Sequence, residues 1–226
     1  MKDSIIFSLG GSIVVPEAID VKFLTGFKNL IHKHLDDYKQ FIIVVGGGET
    51  CRKYQRAASA ISKVSPEDLD WLGIHATHLN AHLIRTILQE HSDPRIIISE
   101  DRMTERKAKI VVAGGFTPGS STDLVATKCA QAYGMKTIVN LSNINYVYDM
   151  DPGKFDNAKP LKEVNWHDFR AIVGDKWVPG SHLPFDPVAS RLASELLLSV
   201  VVMNGTNLEN LDAYLSGEEF EGTVIS

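Results

Sequence analysis

Cysteine is nearly absent: the 226 residues include only Cys51 and Cys129, without the spacing of a zinc site or a disulfide framework. That scarcity excludes a disulfide-stapled fold and fits a reducing compartment. Positive charge is not in excess either. Lys and Arg number 23 against 28 Asp and Glu, a net charge of −5, so a broad nucleic-acid footprint and an electrostatic hold on anionic lipid are both excluded as expectations. No apolar run approaches the roughly 18 residues of a spanning helix. The start of the chain, one early lysine followed by Asp3 and a run stopped by glycines, lacks the three regions of a secretory leader. A cytoplasmic protein is the expectation, with neither nucleic acid nor membrane as partner.

What is present is a core and a recurring punctuation. At 44% hydrophobic the chain can bury a substantial interior. Three glycine clusters each follow a short apolar run: Leu9-Gly10-Gly11-Ser12, Val45-Gly46-Gly47-Gly48 and Ala113-Gly114-Gly115. The runs Ile5 to Leu9, Phe41 to Val45 and Ile110 to Ala113 have the length and β-branched content of buried strands. If those strands are parallel, every glycine turn opens on one edge of the sheet, where open α/β sheets bind ligands.

Strand-like and helix-like segments alternate along the chain. Val21 to Leu35 places Phe23, Phe27, Leu30 and Ile31 at helical spacing between the first two strands, a βαβ unit with a right-handed crossover. A helix is predicted from about Glu49 to Ala60, and Ser65-Pro66 caps another that runs to about Leu88. Arg95 to Ile98, Ile110 to Ala113, Thr137 to Leu141 and Val200 to Met203 read as further strands, and Thr122 to Tyr133 as a helix. Tyr146 to Tyr148, before Asp149-Met150-Asp151-Pro152-Gly153, suggests a short β excursion ending in a turn. A turn-rich loop over Val178 to Pro187 precedes a helix to about Leu198. The boundary between two fused lobes is expected near residue 135, giving 1–135 and 136–226 within one compact domain.

The glycine turns let backbone amides face an anion with no side chain between, although one such turn alone is as often a tight structural turn. None matches GxxxxGK[ST] or a good GxGxxG, so neither a P-loop nor a dinucleotide fingerprint is supported. Arg52, one turn into the helix after Gly48, can add bidentate contacts to a phosphate, or it can be a plain exposed helix arginine. Cys51 beside it reads as a small core residue. Thr117-Pro118-Gly119-Ser120-Ser121-Thr122-Asp123 joins four hydroxyls to a helix N-terminus and suits an oxyanion, with Asp123 orienting donors or holding a metal, or simply favouring a first helical turn. His75, His78 and His82 share a helix face, but Leu79 takes the glutamate place of HExxH, so no dedicated metal site is read there.

In order and spacing the chain resembles the amino acid kinase superfamily, and most closely the archaeal-type uridylate (UMP) kinases. The residues that carry the resemblance run from end to end: Leu9 to Ser12, Gly46 to Gly48 with Arg52, Asp70 to Gly73 with Ala76, Thr77 and Asn80, Gly114-Gly115 with Thr122-Asp123, Tyr148 with Asp151-Pro152, and Phe185 to Pro187 with Ala189. The resemblance implies a three-layer αβα sandwich around a mainly parallel sheet, with an N-terminal phosphoryl-acceptor lobe and a C-terminal ATP lobe. It implies UMP and ATP as substrates, Mg²⁺ as cofactor and a hexamer built as a trimer of dimers. Gly10, Gly11, Gly47 and Gly48 would lie along the phosphates, with Gly10, Gly11 and Asp123 as the catalytic group. Arg52 would meet the acceptor phosphate, Asp70 the acceptor ribose, and the loop with Gly115, Thr117 and Thr122 the acceptor base and phosphate. Ser142, Asn143, Tyr148 and Asp151 would contact ATP.

The chemistry agrees with what the sequence lacks. A phosphate monoester has its second pKa near about 6, so UMP presents a nucleophilic oxygen at neutral pH without a general base. Positioning and charge neutralisation then suffice, and no Ser-His-Asp set or carboxylate pair is read. Two positions depart from the family: Ser8 stands where many members carry a lysine that stabilises the transferring group, and Asn145-Tyr146 stands where Asp-Gly is usual. The alternatives are a kinase of the same fold with another small acid or phosphate acceptor, and a non-catalytic nucleotide or oxyanion binder such as the related molybdenum storage proteins.

Overall fold

A computed structural model of the chain describes residues 1–174 and 183–226. The expected turn-rich loop therefore lies, over 178–182, outside the described residues. Apolar β-branched runs make the central strands β1 (Ile5–Leu9), β2 (Phe41–Val45), β3 (Ile110–Ala113), β4 (Thr137–Ser142) and β8 (Ser199–Asn204). Around them lie the helices α1 (Gly11–Val14), α2 (Val21–Lys33), α3 (Gly48–Ile61), α4 (Pro66–Ile87), α5 (Thr122–Tyr133), α6 (Trp166–Val173), α7 (Pro187–Glu195) and α8 (Leu208–Ser216). Short strands β5 (Val147–Tyr148), β6 (Pro160–Leu161), β7 (Glu163–Val164) and β9 (Thr223–Ile225) complete the chain.

The main sheet has seven strands in the order β3-β2-β1-β4-β8-β9-β7. Its first five are mutually parallel, β9 runs antiparallel to β8, and β7 runs parallel to β9. Strand side chains alternate between two cores, as a period of two requires. Ile5, Phe7 and Leu9 join Phe27 and Leu30 of α2, Ile84 of α4 and Leu211 of α8 on one face. Ile6 joins Val125 of α5, Phe169 of α6 and Ala189 of α7 on the other. The result is a three-layer αβα sandwich, as the resemblance implies. Each large side chain so buried, Phe7, Phe27 and Phe41 among them, contributes about 1.5–3 kcal/mol.

Helix starts follow side-chain caps. Phe23 N–H donates to Asp20 (2.8 Å), Asp68 N–H to Ser65 (3.1 Å), Leu124 N–H to Ser121 (3.1 Å) and Ala189 N–H to Asp186 (2.7 Å). One expected strand fails. Arg95 to Ile98 forms no regular strand; Ile97 alone bridges to Ala113 on the outer side of β3. Pro94 removes a donor at the start of the segment, and acidic Glu100 and Asp101 follow at once, so only Ile97 N–H to Val112 and Gly114 N–H to Ile97 form. The helix expected to reach Leu198 stops at Glu195, before Leu197 adopts φ 53°. The excursion after β4 is present as the β5–β6 hairpin. Among the described residues no helix is long and apolar enough to cross a membrane.

Candidate active site

Because five strands are parallel, their C-terminal ends share an edge, and Gly10, Gly46, Gly114, Asn143 and Gly205 follow Leu9, Val45, Ala113, Ser142 and Asn204 there. The chain leaves β1 outward through β2 and β3, then returns to lay β4 on the other side of β1. β1 and β4 therefore flank the topological switch point, the crevice in which such sheets hold ligands.

The first two glycine loops touch. A Cβ on Gly11 would lie 2.1 Å from Gly48 N and 2.5 Å from Gly46 C, and one on Gly48, at φ +60°, would lie 2.2 Å from Gly11 O. Backbone meets backbone here, so only glycine fits on either side. Gly10 N–H donates to Leu141 O at 3.0 Å and Gly46 N–H to Leu9 O at 2.9 Å. Glycine thus serves packing at Gly11 and Gly48, while Gly10 and Gly47 remain partly open.

α4 fixes the second and third loops. Asn80 is buried and its Nδ2 donates to Gly46 O (2.8 Å) and Gly47 O (3.1 Å). Thr77 Oγ1 accepts the Gly115 N–H (2.6 Å) and donates to Ile74 O (2.6 Å), and His78 Nε2 donates to Gly115 O (2.7 Å). Burial lowers the His78 pKa, which keeps the ring neutral and suited to that contact. One turn from the start of the helix, Asp70 Oδ2 accepts the Gly119 N–H at 2.7 Å, joining α4 to the loop that holds exposed Thr117 and half-buried Thr122. Ser120 in that loop has a buried Oγ with no hydrogen-bond partner among the described residues.

Arg52 lies across the first two loops. Its Nε donates to Glu49 Oε2 (2.8 Å) and its guanidinium reaches Ser12 Oγ (3.2 Å). Glu49 also pairs with Arg56, and the two guanidinium groups, Arg56 first, pull its pKa down to about 2. Two cations around one carboxylate leave positive charge beside the glycine loops.

Beneath the switch point lies a polar layer that the period of two explains. Ser8 and Asn140 are register partners on β1 and β4, and both sit on the α5-α7 side of the sheet among apolar neighbours. Ser8 Oγ donates to Asp123 Oδ1 at 2.8 Å, and Asp186 N–H donates to Asp123 Oδ2 at 3.1 Å. Asn140 Nδ2 donates to Pro184 O at 2.7 Å. Asp123 keeps partial exposure as a residue, but its carboxyl is densely surrounded; that desolvation, with the nearby Asp186 charge, raises its pKa to about 6 against the pull of Ser8. Burial raises Asp186 too, opposed by the Ala189 and Val188 amides. Asp186 Oδ2 is buried and lacks a hydrogen bond among the described residues. The sequence reading found no carboxylate pair; the fold makes one from Asp123 and Asp186. An orphaned carboxylate oxygen of this kind fits a hard divalent cation such as Mg²⁺.

The remaining expected nucleotide contacts follow β4. Ser142 is half-buried and Asn143 exposed at the end of that strand, with their side chains 3.5 Å apart. Tyr148 pairs with Pro160 in the β5–β6 hairpin. Asp151 is exposed beyond it and occupied by the Gly153 N–H (2.9 Å) and Lys154 (3.2 Å), which hold its pKa below the usual carboxylate range. Asn145 accepts from Asn204 Nδ2 at 2.9 Å, tying the hairpin entry to the end of β8.

Thr77, Asn80, Asn140 and Asp186 were not among the expected site residues. Thr77 and Asn80 had a signal, since they belong to the motif around Asp70. Asp186 likewise belongs to the motif Phe185 to Pro187, but that its second oxygen is buried and unpartnered among the described residues is a tertiary fact. Asn140, polar within the run Ile138 to Leu141, was the available clue.

Comparison with known proteins agrees with this architecture. The Amino acid kinase family model matches residues 3–204. A uridylate kinase of Thermoplasma acidophilum is 30% identical over 228 residues, covering 100% of this chain and 97% of that protein. One from Methanocaldococcus jannaschii is 32% identical over 225 residues, covering 98% of each. The crystal structure of uridylate kinase from Archaeoglobus fulgidus superposes with a TM-score of 0.85 at 27% identity, covering 98% of this chain and 99% of that one. Family model, full-length relatives and superposed structure agree, and the chain belongs to the amino acid kinase family.

Proposed function

We propose that this chain transfers the γ-phosphoryl group of ATP to UMP, giving UDP and ADP. The observation that carries the reading is similarity at 30–32% identity over essentially the whole length to archaeal proteins named uridylate kinase. An unprotonated phosphate oxygen of UMP attacks the γ-phosphorus, the bond to the β,γ-bridging oxygen breaks, and ADP leaves with that electron pair. No base is required, so the protein's part is alignment and charge.

In this reading residues 1–135 hold the acceptor and 136–226 hold ATP. Gly10, Gly11, Gly47 and Gly48 lie along the phosphates, where the absence of side chains lets the ligand approach the backbone. Arg52 takes the UMP phosphate, Asp70 the ribose, and Gly115, Thr117 and Thr122 the base and phosphate side. Ser142, Asn143, Tyr148 and Asp151 take the nucleotide of ATP, which for Asp151 requires release of Lys154. Asp123 aligns Ser8 and the start of α7 around the transferred group. Asp123 and Asp186 are the oxygen donors that would hold Mg²⁺, whose charge offsets that of the phosphates when bound.

The chain works in this reading as a cytoplasmic homo-oligomer, a hexamer arranged as a trimer of dimers. Supporting this, α3 buries none of its residues in the single chain, and Tyr54, Ile61, Trp71 and Leu79 on α3 and α4 are exposed; molecular mass by light scattering checks it. Another acceptor or a non-catalytic oxyanion store is not favoured, because the relatives are named uridylate kinases. Coupled ADP release over UMP, CMP, carbamate, acetylglutamate and isopentenyl phosphate tests the reading. Turnover should be fastest with UMP; background rates with UMP would end it.

A further inference from the structure

On the edge of the sheet opposite the glycine loops, we infer a binding site for a divalent transition ion, built from His32 at the end of α2 and Glu90 and His91 just after α4. One donor atom from each lies within 4.8 Å of the others. The His32 and His91 rings meet edge to face, with centroids 5.4 Å apart and planes at 88°. Among the described residues this is where His, Cys, Asp and Glu donors converge, rather than at His75, His78 and His82.

Two observations point to a ligand. His32 Nε2 is buried and has no hydrogen-bond partner among the described residues, a costly state for an imidazole nitrogen unless something occupies it. The C-terminal ends of α2 and α4 converge here, and the partial negative charge of two helix ends favours a cation.

The backbone of the cluster is already fixed. His91 N–H donates to Leu88 O (3.2 Å) and His91 O accepts from Ile110 N–H (3.0 Å), which anchors the residue between the cap of α4 and the first residue of β3. Exposed Glu90 and His91 have room to turn toward His32. A tetrahedral ion with bonds of about 2.0–2.2 Å needs donors about 3.3 Å apart, a closure that side-chain rotation alone supplies. Two imidazoles and one carboxylate suit Zn²⁺, with water as the fourth ligand, and suit Cu²⁺ or Ni²⁺ as well. A bound ion would tie α2 to the α4–β3 turn, remote from the phosphate edge, so the inference stands whether or not the proposed reaction is correct.

The test is calorimetric titration of Zn²⁺ into the tag-free, chelator-stripped full chain, with thermal unfolding in parallel. The expected result is saturable binding of one ion per chain and a Zn²⁺-dependent rise in Tm. His32→Gln and the exposed His91→Gln should each weaken binding by more than about tenfold and remove the rise in Tm, while His75→Gln leaves both unchanged. The wild-type chain decides the matter even if His32→Gln fails to fold. No binding by the wild-type chain, or equal binding by wild type and His91→Gln, overturns the inference.

Discussion

Ser8, where the resemblance leads one to expect a lysine, donates its hydroxyl proton to Asp123 at 2.8 Å. A neutral hydrogen bond rather than a cation meets this carboxyl, and the consequence appears on Asp123. Without a cation beside it, burial raises the carboxyl pKa from its ordinary 3.8 to about 6. The folded chain therefore holds this proton more tightly than the unfolded chain does. Stability linked to the group is greatest below about pH 4, falls through the window from about 4 to about 6, and stays reduced above it, at a cost on the order of 3 kcal/mol. Asp123→Asn can keep both contacts, accepting from Asp186 N–H and donating to Ser8. It should raise stability at pH 7.5 by about 1–3 kcal/mol and remove this part of the pH dependence, while lowering transfer by about 10²-fold or more. Urea unfolding across pH 4 to 8 checks it; an unchanged pH profile would show that the carboxyl is not desolvated. Ser8, Asp123, Asn140 and Asp186 come from four distant stretches of chain, which is why their meeting was not legible in sequence although Ser8 and Asp123 were each singled out.

At the scale of elements, α4 is the organiser. Its start was legible from Ser65-Pro66 and its length from periodicity, but the face that grips the loops depends on how it lies on β2 and β3. Thr77 and Asn80 spend their polar atoms on backbone of the second and third glycine loops. Thr77→Val removes the acceptor of the Gly115 N–H with little change in shape. The unpaired buried N–H should cost about 1–3 kcal/mol, and the loosened acceptor loop should raise the KM for UMP with the KM for ATP unchanged. Urea titration and initial rates measure the two effects; a KM increase for ATP alone would detach this loop from the acceptor. The same dependence on packing explains the failures. The segment Arg95 to Ile98 contributes a single bridge, Ile97 to Ala113, to the outer edge of β3. The strands β6, β7 and β9 are too short to carry a period, and α8 was not read although Leu208, Leu211 and Leu215 show helical spacing between Asn207 and Gly217.

For the whole molecule, the parallel strands and their shared glycine edge were legible because buried β-branched runs and glycine turns are local signals. The sheet order was not, since the return of β4 to the inner side of β1 is decided by which faces the helices cover. That return places the loops after β1 and β4 on opposite sides of one crevice, the arrangement that two nucleotides meeting through their phosphates require. The central claim is direct transfer across that crevice. ATP labelled in its γ-phosphate, incubated with UMP and Mg²⁺, should pass the label to UDP in an amount equal to the ADP formed. Label found only in inorganic phosphate, or remaining in ATP, would contradict the account.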